Sequence, residues 1–220
     1  MSLWGQLGII DPSSPIQSEI ILFHDHAIIL LVGIFMLVGL MGVKLTFNRL
    51  SSRTTHEAQT LEIIWTLVPA LLLIWLALPR LRLLYLLDES SNDGIILKAT
   101  GHQWYWSYEI PSNSTSSFDS YIVQENDLLP GAFRLLEVDH RPAIPYGVNC
   151  LVISTSSDVI HAWALPSIGV KMDAVPGRLN SISIYPITPG LFFGQCSEIC
   201  GANHSFIPIV VEVVRTSDFI

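Results

Sequence analysis

Two long apolar stretches within the first ninety residues constrain the fold more than any other feature of this sequence. The first runs from Ala27 to Val43 without a polar residue, and the second runs from Ile63 to Pro79 with Thr66 as its single polar residue. Each is 17 residues long, and the apolar flanks at 20–23 and 83–87 extend them toward the roughly 20 residues that a helix needs to cross a bilayer. We therefore predict a hairpin of two transmembrane helices, the alternative being two buried helices of a soluble domain.

Charges beside the two stretches predict the orientation in a lipid bilayer. The first 43 residues contain no Lys or Arg, whereas the linker contains Lys44, Arg49 and Arg53. Because short basic loops stay on the inner side of a membrane, we expect the linker inside and both termini outside. Arg80 and Arg82 oppose this orientation, but a long exported domain translocates largely regardless of its charge. The N-terminus resembles neither a secretory signal nor a basic transit peptide.

The composition changes after Asp88, where short β-type runs alternate with Pro, Gly, Asn and Ser clusters. We therefore divide the chain into a helical segment, 1–87, and an all-β domain, 88–220, of the β-sandwich or Greek-key barrel type. No helical period appears in the second part. The predicted strands are Ile95–Thr100, Trp104–Tyr108, Arg134–Val138, Asn149–Thr155, Ser181–Ile187 and Pro208–Val214.

The β-domain is acidic. Residues 88–220 contain six Lys/Arg and fourteen Asp/Glu, a net charge of −8, which equals the net charge of the whole chain. Nucleic-acid binding requires a basic face that neutralises phosphates. The charge distribution therefore predicts that no nucleic acid is a partner.

Two cysteines and a histidine recur at a fixed spacing near the C-terminus. Cys196, Cys200 and His204 follow one another at intervals of four residues, between the last two predicted strands. Thiolate and imidazole ligands suit copper or zinc. His161, which we place directly after a strand ending in Asp-Val-Ile, is the fourth candidate ligand. A His 35 residues before such a loop, in a small β-sandwich, is the layout of cupredoxins.

Three chemistries fit this residue set. Cys196 and Cys200 could form a disulfide in an oxidising compartment, or the set could be a structural zinc site, whose ligands usually come as two close pairs. A binuclear copper centre is favoured because a blue-copper site uses one cysteine, whereas two thiolates bridge two copper ions that share one delocalised electron. The third cysteine, Cys150, lies in an apolar run and is expected in the core.

The aromatic run Gly101–Glu109, taken together with the cysteine loop, is the most specific motif of the chain. This combination resembles the mitochondrial cytochrome c oxidase subunit II family, and the similarity covers nearly the whole chain, including Ser117–Tyr121 and Pro176–Asn180. The resemblance implies a membrane α-helical hairpin followed by a cupredoxin-like Greek-key barrel. It also implies a location in the mitochondrial inner membrane, with two spans and both termini in the intermembrane space.

The resemblance implies a role for each residue of the cysteine loop. Cys196 and Cys200 would bridge two copper ions (the CuA centre), and His161 and His204 would each bind one of them. The main-chain carbonyl of Glu198 would complete one copper sphere, and its side chain would bind a magnesium or manganese ion shared with subunit I. No haem is expected in this chain.

The same resemblance implies a path for electrons and protons. Trp104 would lie at the surface as the point where electrons arrive from cytochrome c, with Tyr105 beside it, although Trp104 could instead pack in the core. Glu62 would mark the inner mouth of a proton path into subunit I, or simply cap a helix. An acidic patch would dock basic cytochrome c, unless it is only a solvated surface; its members are Glu109, Asp119, Asp139 and Asp158.

One position departs from the family pattern. The family has a Met three residues after the last ligand His, as a weak axial copper ligand, and this chain has Ile207. Isoleucine cannot coordinate a metal. Either the site lacks that ligand, or an AUA codon, which many animal mitochondria read as Met, has been translated with the standard code.

Three functions follow from these features. The favoured one is the redox subunit of cytochrome c oxidase, which passes electrons from cytochrome c to haem in subunit I, where oxygen is reduced and protons are pumped. The second is a membrane-tethered protein that binds or delivers copper. The third is a quinol oxidase subunit, which would share the fold but lack copper, and the intact Cys-Cys-His set argues against it.

Overall fold

The computed structural model describes residues 4–53, 56–89, 94–111 and 116–219. The chain forms two compact units. One is Glu19–Tyr85, and the other joins the described parts of Met1–Ser18 and Leu86–Ile220. The predicted division at residue 87 assigned residues 4–18 to the helical segment, whereas in the structure they pack with the β-domain.

The two apolar stretches form long helices. Helix α1 is Pro15–Phe47, with 33 residues, and helix α2 is Gln59–Asp88, with 30 residues. Both are long and apolar enough to cross a membrane, and no residue of the most apolar 18-residue window in either helix is buried. Uncovered apolar surface of this extent marks a membrane or partner contact. The alternative of two buried helices in a soluble domain is therefore wrong.

The start of α1 is fixed by contacts within the β-domain unit. The Ser14 hydroxyl accepts a hydrogen bond from the main-chain N–H of Gln17 (3.0 Å) and donates one to the carbonyl of Ile168 (2.6 Å). The first of these bonds is an N-cap, which satisfies a free helix N–H. Gln17 is 3% exposed and lies so close to Gly169 that a Cβ there would be 2.6 Å from its Oε1.

The described residues of the β-domain form the strands β1 (Ile95–His102), β2 (Tyr105–Ile110), β3 (Ser116–Ser120), β4 (Ala143–Pro145), β5 (Cys150–Ser156), β6 (His161–Leu165), β7 (Val170–Ala174), β8 (Asn180–Ile184), β9 (Gly190–Gln195) and β10 (Pro208–Val214). These strands make three sheets. The first has the strand order β3-β2-β1-β5-β8, the second β4-β10-β9, and the third pairs β6 with β7. Most pairs are antiparallel, but β1 runs parallel to β5, and β10 runs parallel to β4.

The predicted strands differ from the observed ones in two ways. The strand predicted at Arg134–Val138 is wrong: the segment forms turns, Leu135 has a φ of 67°, and Val138 makes only an isolated bridge to Ile122. Five of the strands within the described ranges were not predicted. The most important is β6, whose five residues are all buried and therefore show no alternation of polar and apolar residues. The described residues also include a short helix, α3 (Thr216–Phe219).

The core of the β-domain is built from large apolar side chains that are almost fully buried. Cys150 is among them with 0% exposure, as predicted. The indole of Trp163 donates a hydrogen bond to the hydroxyl of Tyr108 (3.3 Å), which keeps both polar atoms satisfied inside this core. Other members of the same cluster are Leu97, Trp106, Ile144, Val152, Leu165, Ile168, Ile184, Ile209 and Val211.

One close contact aligns the strand before the cysteine loop with the strand that carries His161. A Cβ built on Gly194 in β9 would lie 1.8 Å from the carbonyl oxygen of Ala164 in β6. Only glycine permits this approach, because the obstacle is backbone and cannot rotate away. The packing of β9 on β6 therefore depends on Gly194.

We predict that Gly194→Ala destabilises the β-domain by about 2 kcal/mol or more, because overpacking against backbone forces a strand to move. The measurement is thermal unfolding of the full chain in detergent, followed by tryptophan fluorescence. Gly8→Ala is the matched control, since an added Cβ there meets nothing within 4 Å. Equal midpoints for the two variants would contradict the prediction.

Candidate metal centre

The cysteine loop connects β9 to β10 and is held at both ends by main-chain hydrogen bonds. The N–H of Cys196 donates to the carbonyl of Ile207 (3.0 Å), which closes the base of the loop. The N–H of Ser197 donates to the carbonyl of Ala162 in β6 (3.1 Å). The loop is therefore attached directly to the strand that begins with His161.

The four predicted ligands come together. The ligand atoms of His161, Cys196 and Cys200 all lie within 4.8 Å of one another. Cys196 Sγ is 3.8 Å from His161 Nδ1, and Cys200 Sγ is 3.5 Å from Nδ1 of His204, the first residue of a single-turn 3₁₀ helix. His161 is the first residue of β6, and the preceding Asp158–Ile160 segment is not a strand, contrary to the prediction.

These distances fit a shared metal ion in each pair. A sulfur and a nitrogen bound to one tetrahedral metal at about 2.3 and 2.0 Å are separated by about 3.5 Å. The two Sγ–Nδ1 separations, 3.8 and 3.5 Å, are close to this value. All three cysteines are free, so the structure contains no Cys196–Cys200 disulfide. The donor set, two sulfurs and two imidazoles, fits copper or zinc.

The electrostatics of the site favour a bound cation. Burial raises the pKa of the Cys196 thiol, but hydrogen bonds and the charge of His161 bring that pKa below its ordinary value. Burial, followed by the negative charge of Cys196, raises the pKa of the Cys200 thiol. The site therefore stabilises one thiolate and disfavours a second. Because thiolates are the metal ligands, a cation bound to both sulfurs supplies the charge that the second one requires.

Asp158 orients the buried imidazole of His161. Its Oδ1 accepts a hydrogen bond from His161 Nε2 (2.9 Å) and from the N–H of Val159 (2.6 Å). Burial lowers the pKa of His161, but Cys196 and Asp158 together raise it above its ordinary value. A carboxylate behind a ligand His fixes the ring and leaves the other nitrogen for the metal. Sequence reasoning missed this role; the three-residue spacing of Asp158 before His161 was the available signal.

Gly101 makes room for the His161 ring. A Cβ on Gly101 would lie 2.9 Å from His161 Cδ2 and 3.0 Å from Cγ. On another side, the ring of Trp106 meets the imidazole edge-on with centroids 5.9 Å apart. The aromatic run noted in the sequence therefore packs against a ligand of the metal site, and its first glycine is required by that ligand.

Comparison with known proteins places the chain in a family. The family model for cytochrome c oxidase subunit II, periplasmic domain, matches residues 95–214, and the model for the transmembrane domain matches residues 2–83. The chain belongs to the cytochrome c oxidase subunit II family. This membership confirms the predicted fold class, in which two apolar helices precede a cupredoxin-like β-domain.

Individual members of the family are similar over the full length. Cytochrome c oxidase subunit 2 of Albinaria caerulea is 67% identical over all of this chain and 98% of its own, and that of Drosophila melanogaster is 50% identical over all of this chain and 96% of its own. The crystal structure of the periplasmic domain of subunit II of cytochrome oxidase of Bradyrhizobium japonicum is 45% identical. It has a TM-score of 0.54 and covers 60% of this chain and 90% of that one.

In this subunit II chain, Trp104 lies in the turn between β1 and β2 rather than on strand β2, where it was predicted. The expected exposure of Trp104 is only partial, because the side chain is half-buried, packs on the core and has a buried Nε1. Its ring lies beside the cysteine loop: a Cβ on Gly201 would be 3.2 Å from Trp104 Nε1. Tyr105 stacks between His102 and Tyr121, with centroid distances of 4.5 and 4.4 Å.

Glu198 and Ile207 both lie beside the cysteines. The carbonyl oxygen of Glu198 is 3.4 Å from Cys196 Sγ, and the Glu198 side chain is half-buried. Ile207 is 1% exposed and belongs to the same buried cluster as Cys196 and Cys200. Residue 207 is therefore buried, and its carbonyl accepts the hydrogen bond from the N–H of Cys196 (3.0 Å), but an isoleucine side chain offers no donor atom.

The four docking acids are each tied to local structure. Glu109 forms an ion pair with Lys98 (3.0 Å), and Asp119 accepts a hydrogen bond from the hydroxyl of Ser107 (2.7 Å). Asp139 Oδ1 accepts hydrogen bonds from the N–H groups of Tyr121 and His140, both at 2.7 Å. Asp158 is bound to His161. The role of these acids in docking cytochrome c stays a prediction.

Glu62 lies in the first turn of α2 and is exposed. A carboxylate there is stabilised by the positive end of the helix dipole, which is the capping role considered above. Its carbonyl accepts a hydrogen bond from the hydroxyl of Thr66 (2.8 Å). This position is compatible with a helix-capping role and with a role at the mouth of a proton path. The role at a proton path stays a prediction.

We predict that residue 207 is Met in the protein isolated from its source, because this buried position, bonded to Cys196 through the main chain, then supplies the expected axial thioether. The measurement is the mass of the tryptic peptide 179–215, which carries residue 207. The tryptic peptide 135–171, which lies outside the loop, calibrates the same spectrum; it includes Arg141 because trypsin does not cleave before Pro142. A peptide mass that matches Ile at 207 would rule out a mistranslated codon and leave the site without that ligand.

Proposed function

We propose that this chain is the subunit of cytochrome c oxidase that accepts electrons from cytochrome c at a binuclear copper centre and passes them to haem a in subunit I. Oxygen reduction to water and proton pumping belong to the complex, with the oxygen-reducing site in another subunit. The observation that supports this most strongly is the buried cluster of His161, Cys196 and Cys200, joined by His204, inside the domain that matches the family.

The two Sγ–Nδ1 pairs support this set of ligands. Cys196, Cys200, His161 and His204 would hold the two copper ions, and the Glu198 carbonyl would add a weak ligand. Bound copper supplies a one-electron redox couple. The chain holds the four side chains on a buried strand and a short, hydrogen-bonded loop, and such a rigid ligand set limits the rearrangement that accompanies electron transfer.

Electrons reach the site through Trp104. Its ring lies beside Gly201, the residue after Cys200, and the residue is partly exposed, so that a partner can reach it. Tyr105 supports this turn through its stack with His102 and Tyr121. Glu109, Asp119 and Asp139 contribute negative charge for cytochrome c, whereas the carboxylate of Asp158 is mainly engaged by His161.

The remaining assignments rest on topology and on the resemblance. The basic linker with Lys44, Arg49 and Arg53 supports an orientation with the β-domain and both termini in the intermembrane space. The resemblance adds that the helices cross the lipid bilayer of the mitochondrial inner membrane. Glu198 binds a magnesium or manganese ion at the boundary with subunit I through its side chain. Glu62 lies at the inner mouth of a proton path. The oxidase subunits are the chain's permanent partners.

A second candidate is a membrane-tethered protein that binds or delivers copper. It shares the ligand set but requires no aromatic path from the surface to the site, so Trp104 distinguishes the two functions.

We predict that Trp104→Phe, in the assembled oxidase, slows reduction by cytochrome c by more than about tenfold, equivalent to ~1.4 kcal/mol of activation free energy. The reason is that the indole beside Gly201 carries the electron to the cysteine loop. The measurement is stopped-flow reduction at high cytochrome c concentration, with copper content determined on the same sample. Trp4→Phe is the control, because Trp4 is fully exposed. An unchanged rate with full copper would contradict electron entry through Trp104.

A further inference from the structure

Gln103 makes two hydrogen bonds that point to opposite halves of the metal centre. It lies in the turn between β1 and β2, immediately before Trp104. Its main-chain N–H donates to Asp158 Oδ2 (2.6 Å). Its side-chain amide Nε2 donates to the main-chain carbonyl of Cys200 (2.7 Å). One residue therefore contacts both the carboxylate behind His161 and the backbone of a ligand cysteine.

The contacts continue into the ligands themselves. The other carboxylate oxygen of Asp158, Oδ1, accepts a hydrogen bond from His161 Nε2 (2.9 Å). On its other side, His161 Nδ1 lies 3.8 Å from Cys196 Sγ. The path from Cys200 through Gln103 and Asp158 to His161 is thus continuous. It connects segments that are 97 residues apart at Gln103 and Cys200. The separation of Cys200 and His161 is therefore constrained by these hydrogen bonds as well as by the loop itself.

A glycine makes the second contact possible. Gly201 directly follows Cys200, and a Cβ there would lie 3.0 Å from Gln103 Nε2 and 3.2 Å from Trp104 Nε1. Its φ of 129° is also one that side chains with a Cβ rarely adopt. The absence of a side chain at Gly201 therefore leaves room for the Gln103 amide and the Trp104 ring beside Cys200.

We propose that Gln103 is a positioning residue that fixes the Cys200 side of the metal centre relative to His161. The proposal rests on the proposed function only in that the bound metal is copper. The amide holds the Cys200 carbonyl, the main-chain N–H holds Asp158, and the metal-bound geometry is thereby present before the metal binds. Residues of this kind behind metal ligands change metal affinity by about 10- to 100-fold when they are replaced.

The test compares three variants of the full chain in detergent. Gln103→Met keeps the main-chain bond to Asp158 and the side-chain length but removes the amide donor to Cys200. Gln103→Glu is isosteric, but an ionised carboxylate cannot donate and repels the Cys200 carbonyl. Gln124→Met is the matched control, because Gln124 is exposed and its side chain makes no capping hydrogen bond.

In the metal-free chain, hydrogen exchange of the peptide amides at 197–206 is the first measurement. We expect faster exchange in both Gln103 variants than in wild type and Gln124→Met.

In the copper-loaded chain, we expect both Gln103 variants to lose copper to a chelator about tenfold faster and to show altered electron paramagnetic resonance hyperfine splitting. Wild-type exchange in both Gln103 variants, or wild-type chelator rates and spectra, would overturn the proposal. Failure of the proposed function is distinct: wild type itself would then not bind two copper ions.

Discussion

The close packing of β9 on β6 is the contact on which the metal centre depends. The ligands come from two places in the sequence, His161 at the start of β6 and the cysteine loop after β9. Gly194 lets β9 approach β6 closely, and the N–H of Ser197 then bonds to Ala162. Without this approach the sulfurs and the His161 imidazole would be too far apart to share a metal, because a metal holds its sulfur and nitrogen ligands within about 2.3 Å of itself.

Burial and the neighbouring groups together give the site its chemical character. The environment lowers the pKa of Cys196 and raises the pKa of Cys200, so the pair accommodates one negative charge easily and a second only with a cation present. Asp158 adds a carboxylate behind His161. The protein therefore prepares a rigid, partly charged set of ligands, and the same rigidity suits the proposed one-electron centre.

Much of this arrangement could be predicted from sequence, but not its supporting contacts. The two helices follow from long apolar stretches, and the loop ligands follow from the four-residue spacing of Cys196, Cys200 and His204. His161 was found because cupredoxins place a His before such a loop. Strand β6 was missed because all five of its residues are buried, so that no alternation marks it. The hydrogen bonds from Asp158 and Gln103 join residues brought together only by the fold.

Copper stoichiometry combined with electron paramagnetic resonance of the full chain tests the central claim most directly. The account predicts two copper ions per chain and hyperfine splitting from two equivalent copper nuclei that share one unpaired electron. The splitting should depend on both sulfurs, since Cys196→Ser and Cys200→Ser each remove one bridge. A single copper ion with splitting from one nucleus, or preferential retention of zinc, would contradict it.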